Sequence, residues 1–352
     1  MKIRTIISIL ALFTLIVSCE DPMEGIDENN GNSSINSGIG GSGDNNNDSN
    51  PNNDTLDLEN IICLQGITNT IQWFLYATYS PDSEHILAVS ADTMFHILNA
   101  NTLAVEQEFV TPNNIILQGE FSPDGNWVVA GGTDNTASIW DLRKGYSMIL
   151  NGHTARVVWV DWSPTENKVV TASTDGTLKI WDSGSGNCIN TFSSSEFGYG
   201  MCVSYSPDGS RLAAIASDTT VKILDANTGN ILQSLVGHNY GHYSAHFSPD
   251  GNRVVTGGFD GKMKVWDANT GQELYSTIDF QGHRVVSASY SQDGKYIIEG
   301  GQAHGVRIYD AQTFECLKTV AVDNNLTSVN WSPNGRRFVT TSGQKTLKVW
   351  GN

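Results

Sequence analysis

The chain has 352 residues with 20 Lys and Arg against 37 Asp and Glu, a formal net charge of −17. No basic run or Lys/Arg stripe interrupts that acidity, so nothing would neutralise a phosphate backbone, and nucleic acid is excluded as a partner. Five cysteines occur singly, without Cys-x-x-Cys spacing, which argues against a structural zinc site and leaves no disulfide framework in view.

Lys2 and Arg4 precede an apolar run from Ile6 to Val17, too short to span a bilayer but of the length of a secretory signal. The run ends Leu15-Ile16-Val17-Ser18-Cys19, which resembles the lipobox of bacterial lipoproteins. That resemblance implies a signal peptide over 1–18 and a lipidated Cys19, and several acyl chains hold a protein at a membrane where one does not. Residues 19–59 are Asn, Gly, Ser and Asp with almost no large apolar side chain. They cannot offset the entropy of ordering, and a disordered stalk is expected. Glu20-Asp21 resembles the acidic signal that sends some bacterial lipoproteins to the outer cell face, and Asp54-Thr55-Leu56 resembles a short O-glycosylation pattern. The expected location is the bacterial cell envelope, with a lipid anchor as the only membrane contact.

From residue 60 the pattern changes. In Gly152 to Asp182, the clearest copy, Val158, Val160 and Trp162 alternate with other residues, Ser163-Pro164 opens a turn, a second run ends at Ala172, and Leu178 and Ile180 lead to Trp181-Asp182. Period-two alternation broken by Pro, Asp-Gly and Gly predicts short antiparallel strands. The Ser-Pro-Asp-Gly turn recurs, with variation, at Ser80, Ser122, Ser163, Ser206, Ser248, Ser291 and Ser332. The closing pair recurs as Trp140-Asp141, Leu224-Asp225, Trp266-Asp267 and Tyr309-Asp310, with Leu98-Asn99 and Trp350-Gly351 as degraded copies. The period is roughly 42 residues, within the about 40–45 of four strands per blade. On these residues the segment 60–352 resembles the WD-repeat β-propeller family. The resemblance implies an all-β fold, a monomeric seven-bladed β-propeller of four-stranded antiparallel blades. The last blade lacks a fourth strand, and the orphan apolar run Ile61 to Leu64 is expected to supply it and close the ring.

The hydrogen-bonded tetrad of the family carries over at two places, His153, Thr171, Asp175 and Trp181, and His238, Thr256, Asp260 and Trp266. His, hydroxyl and Asp together look like a catalytic triad, but an Asp in a tight turn and an indole N–H that needs an acceptor make them struts. Elsewhere Ala88, Ala130 and Ala214 fill the hydroxyl position, and the sixth blade has Glu299, Ala303 and Tyr309, so those blades are expected to rely on apolar packing. Cys63, Cys188, Cys202 and Cys316 lie in strand-like runs and are expected to be buried free thiols. His238, His242 and His246 have a spacing that suits metal ligands on a helix, but on a strand they predict one tetrad member and two packing or surface groups. No metal or cofactor is expected.

In the family, partners dock mainly on the face formed by the entry to each first strand and the residue before the turn Asp. The matching positions include Trp73, Leu75, Ile115, Leu117, Arg156, Tyr199, Met201, Tyr243, Phe259 and Arg284, and none of the matching positions holds Asp, Glu, His or Cys. A hydrolytic site needs such groups to converge, so an enzyme is not expected. Aromatics with two guanidinium groups are the residue types of interface hot spots and suit a protein or peptide bearing an apolar side chain and a carboxylate. A glycan stacked on the aromatics is the alternative ligand. A propeller hydrolase with its site on another face is the third reading.

Overall fold

In the computed structural model, residues 56–352 are described except 69–72, 112–113, 194–201, 217, 240, 279–282 and 303–304. The expected signal peptide, Cys19, most of the stalk, Tyr199, Met201 and Ala303, and the side chain of His242, lie outside the described residues.

The period-two runs become 28 strands in seven four-stranded antiparallel sheets. In blade 1 the strands Phe74–Tyr79, His85–Ser90, Met94–Asn99 and Val105–Val110 pair in chain order from the centre outward. Blades 2 to 6 repeat this over 116–151, 157–193, 203–235, 242–276 and 285–320. Blade 7 takes Leu326–Trp331, Phe338–Ser342 and Thr346–Gly351 from the end of the chain and Ile62–Thr68 from its beginning. The closing strand is therefore present, and it is longer than expected, pairing from Ile62 opposite Gly351 to Thr68 opposite Thr346 with one register shift between Cys63 and Gln65. Packing extends further back: Leu56 is buried in the core shared by blades 6 and 7, and Lys318 Nζ donates to the Glu59 carbonyl at 3.0 Å. Deleting residues 58–66 should expose the Thr346–Gly351 edge and cause aggregation or loss of cooperative melting. An unchanged single melting transition would count against this closure.

The repeated turn has a local cause. The Ser side chain accepts the backbone N–H five residues on, as Ser122 does from Trp127 at 3.0 Å and Ser248 from Arg253 at 2.9 Å. The Gly of the motif sits at positive φ, +71° at Gly125 and +70° at Gly251, a region that side-chain-bearing residues rarely adopt.

The blades are stitched to one another near the axis. Thr78 donates to Glu120 Oε1 at 3.3 Å, Gln118 Oε1 accepts from Val160 N–H at 2.9 Å, and Asp161 Oδ2 accepts from Tyr205 N–H at 2.7 Å. Ser204 donates to the Ala245 carbonyl at 2.8 Å, and Ser244 Oγ accepts from Ala288 N–H at 3.0 Å. Ser287 donates to the Val329 carbonyl at 2.9 Å, and Asn330 donates to the Ala77 carbonyl at 2.8 Å. Each of the seven joints thus has a side-chain hydrogen bond, and in six of them it satisfies a first-strand backbone group that no ladder reaches.

Two sequence expectations need correction. Among the described residues only Cys202 is a buried thiol; Cys63, Cys188 and Cys316 are exposed and free. They stand on outermost strands, opposite Trp350, Trp181 and Tyr309 respectively, and an outermost strand has no further strand beyond it to cover its side chains. The blades without a full tetrad do not all rely on apolar packing either. Trp140 Nε1 donates to Ser138 at 2.8 Å, Trp350 Nε1 to Thr340 at 2.8 Å, and the Tyr309 hydroxyl to the buried Glu299 carboxylate at 2.7 Å. A buried N–H or O–H recruits whatever acceptor the neighbouring strand offers. Only Leu98 and Leu224, with nothing to donate, leave purely apolar packing at this position, both essentially inaccessible.

Candidate functional site

The two tetrads form as expected and are closed to solvent. Trp181 Nε1 donates to Thr171 at 2.8 Å, Thr171 lies 2.7 Å from His153 Nε2, and His153 Nδ1 lies 2.9 Å from Asp175. Burial holds the His153 imidazole below its ordinary value despite the neighbouring Asp175. The neutral ring then carries its proton on Nδ1 and accepts from the Thr171 hydroxyl, which leaves the Thr oxygen for the indole. Burial pushes Asp175 up, but the Thr177 hydroxyl, the Thr154 N–H and His153 outweigh it and bring the carboxyl to about 2. The second tetrad repeats the contacts at 2.9, 2.8 and 2.8 Å. Thr171 and Thr256 are wholly buried, so neither hydroxyl can meet a substrate.

The described residues among the expected docking positions lie at one end of the propeller. The carbonyls of Trp73, Ile115, Arg156, Gly241, Arg284 and Asn325 accept from the N–H groups of Ala91, Thr133, Thr174, Phe259, Gln302 and Gly343, the same closing bond in six blades. Next to each lies a β-bulge that leaves Leu75, Leu117, Val158, Tyr243, Val286 or Thr327 out of register. A bulge re-aims its side chain, and no periodicity in the sequence marks it. Blades 5 and 6 assemble a cluster there. The Tyr243 and Phe259 rings are 4.1 Å apart, and the Arg284 guanidinium lies 5.3 Å from the Phe259 ring centre and 3.5 Å from the Tyr243 oxygen. Trp73, Leu117 and Arg156 are also half-buried at this end, but Leu75 and Ile115 are buried and present little surface to a partner. Among the described residues neither Arg156 nor Arg284 has an ion pair.

The docking positions hold no Asp, Glu, His or Cys, but such groups stand deeper in the channel. Further along the first strands, Thr78, Glu120, Asp161, Ser204, His246, Ser289 and Asn330 occupy one register position, five of them half-buried. Trp159 of blade 3 lies edge-on to Tyr76 of blade 1 at 5.7 Å and within 6.2 Å of His246 of blade 5, so the indole reaches across the channel. Burial, with help from the charge of Asp161, pushes Glu120 up to about 8. Burial raises Asp161 to about 7 against two backbone N–H bonds, and lowers His246 to about 4. The signal for this layer was present in the sequence: each repeat has a polar residue immediately before the aromatic that precedes its turn Ser. No group of three or more His, Cys, Asp or Glu able to hold a metal occurs among the described residues.

At the next position stands one aromatic per blade, Tyr79, Phe121, Trp162, Tyr205, Phe247, Tyr290 and Trp331, all buried. They wedge between blades, as where Arg211 lies 5.3 Å from the Phe247 ring centre. Trp162 donates Nε1–H to the Glu120 carbonyl at 3.1 Å, whereas the polar atoms of Tyr79, Tyr205 and Trp331 have no hydrogen-bond partner.

Comparison with known families agrees with this architecture. The profile of the WD domain, G-beta repeat, matches residues 112–141, 145–182 and 186–225, which fall in blades 2 to 4. A profile of the Cytochrome D1 heme domain matches residues 210–342. A haem needs an axial ligand facing its pocket. Of the described histidines in that span, His238 has both ring nitrogens engaged, His283 is exposed, and His246 stands among polar channel side chains. Neither His238 nor His283 is thereby placed as an axial ligand. No curated protein matches the chain.

Proposed function

We propose that this seven-bladed propeller, which carries WD repeats, is a lipid-anchored protein-binding scaffold of the bacterial cell envelope rather than an enzyme. The observation that carries the reading is the cluster of Tyr243, Phe259 and Arg284 at the rim, together with Arg156. In so acidic a chain, two guanidinium groups without carboxylate partners at a rim that also carries aromatic rings favour a peptide that brings both an apolar side chain and a carboxylate. Cys19 is the proposed lipidation site, and its lipobox-like setting supports an extracytoplasmic location.

Cross-linking intact cells with a membrane-impermeant reagent, followed by recovery of the protein, tests both halves. Tyr243→Ala with Phe259→Ala should lose specific cross-linked proteins while keeping the wild-type melting temperature. Retained capture by the folded double variant rejects the face, and cross-links obtained only after lysis place the partner inside the envelope. Cys19→Ala should lose incorporation of labelled fatty acid, and unchanged labelling rejects the anchor.

A further inference from the structure

At the end opposite the proposed docking rim, where the Ser-Pro turns gather, there is a cleft of about 560 Å³ whose lining includes Thr78, Tyr79, Glu120, Phe121, Trp331 and Asn334. Its size falls within the about 300–1,000 Å³ of small-molecule sites. Two of its lining side chains, Tyr79 at 3% exposure and Trp331 at 8%, hold the polar atoms left without a partner. The contrast with Trp162, whose N–H reaches the Glu120 carbonyl from the same register position, shows that the fold can satisfy an indole there. A buried donor left unpaired is costly, so these two call for an occupant.

The lining decides its chemistry. No Lys or Arg is present to receive an anion, Asp82 would repel one, and Glu120, held protonated by burial, offers it no opposite charge. An ammonium ion brings only donors and leaves the Trp331 N–H unmet. A hydroxyl both donates and accepts, and the flat rings of Tyr79, Phe121 and Trp331 suit an apolar face. We propose that this cleft binds a neutral polyhydroxylated ligand, a sugar ring packed against the aromatics with its hydroxyls bonded to Glu120, Thr78 and the free Tyr79 and Trp331 polar atoms. Burial keeps the Glu120 carboxyl protonated near neutral pH, which makes it a donor to such a ligand. The site shares no residue with the docking rim and stands or falls independently of it.

The test uses the full chain labelled with 5-fluorotryptophan, the Trp331 signal being assigned by its loss in Trp331→Phe. Fluorine NMR follows titration with glucose, galactose, mannose, xylose and N-acetylglucosamine, and with tetramethylammonium and sulfate as charged comparators. At least one sugar should shift the Trp331 signal saturably. Glu120→Leu and Thr78→Val, each checked for an unchanged fold by its melt at pH 6, should weaken binding about tenfold, or about 1.4 kcal/mol. The Tyr243→Ala, Phe259→Ala variant should bind normally. Silence from every sugar at tens of millimolar, full affinity in both cleft variants, or a response to tetramethylammonium alone overturns the proposal.

Discussion

Trp181→Ala is expected to destabilise the propeller by about 3–5 kcal/mol, the cost of emptying a buried indole site. The side chain is 1% exposed and packs in the core shared by blades 2 and 3 with Val129, Ile139, Leu150 and Val160. Its loss also removes the donor that fixes Thr171, and through it the His153 ring. If melting is two-state, the transition should fall by roughly 6–20 °C. Trp266→Ala should behave alike, since Trp266 is equally buried and bonded to Thr256. Thr171→Val separates the hydrogen bonds from the volume: it keeps the shape and leaves both indole and imidazole without their shared oxygen, at about 1–3 kcal/mol for each group stranded. A shift of only a degree or so for Trp181→Ala would show that the tetrad is not a strut.

The second large effect concerns pH. Glu120 and Asp161 have folded values raised to about 8 and about 7, and burial raises Glu299 to about 6. A carboxyl with a raised folded value binds its proton more tightly in the folded chain, so its contribution is fully present below the unfolded value and is lost as pH rises through the folded one. His246, lowered to about 4 by burial, works the other way and loses its contribution as pH falls below the ordinary imidazole range. Between about pH 8.5 and 6.5 the carboxyls act almost alone, and stability should rise as pH is lowered, by an amount on the order of a few kcal/mol. Below that, His246 opposes the trend, and in the acid range the turn aspartates, such as Asp208 at about 2, reverse it. Glu120→Gln keeps one of the two oxygens that accept from Tyr76 and Thr78 but cannot ionise, so it should flatten the dependence and exceed the wild type in stability above pH 8. Calorimetric melts from pH 5 to 9 decide this. A wild-type melting temperature that falls on going from pH 8.5 to 6.5, or an equal slope in Glu120→Gln, would reject it.

The all-β class, the seven blades, the closing strand and both tetrads could be read from the chain, because each rests on a repeated local signal. Turn residues at fixed offsets set the strand ends, period-two alternation sets the buried faces, and a Trp that needs an acceptor pairs with the Thr one hairpin away. Where the repeat degenerates, sequence reasoning assumed that a missing Thr meant a missing bond. Ser138 accepts from a position the motif does not use, Glu299 accepts in place of the Thr, and Thr340 is the motif hydroxyl kept in a blade that lacks the His and Asp. The exposure of Cys63, Cys188 and Cys316 was lost for a similar reason, since apolar neighbours in a run do not say whether another strand lies outside.

What the sequence determined by itself is the repeating unit and its number, because strand, turn and tetrad are decided by residues within about 40 positions of one another. What only the tertiary structure decided is what converges at the axis. Glu120, Asp161, His246 and Trp159 come from three different blades, and their meeting depends on ring closure, which no local pattern contains. The same holds for Tyr243, Phe259 and Arg284, brought together by a bulge in one blade and the entry to the next. A side chain's charge, partners and access to ligand follow from the dielectric and the neighbours that this closure creates, and those are properties of the assembled ring.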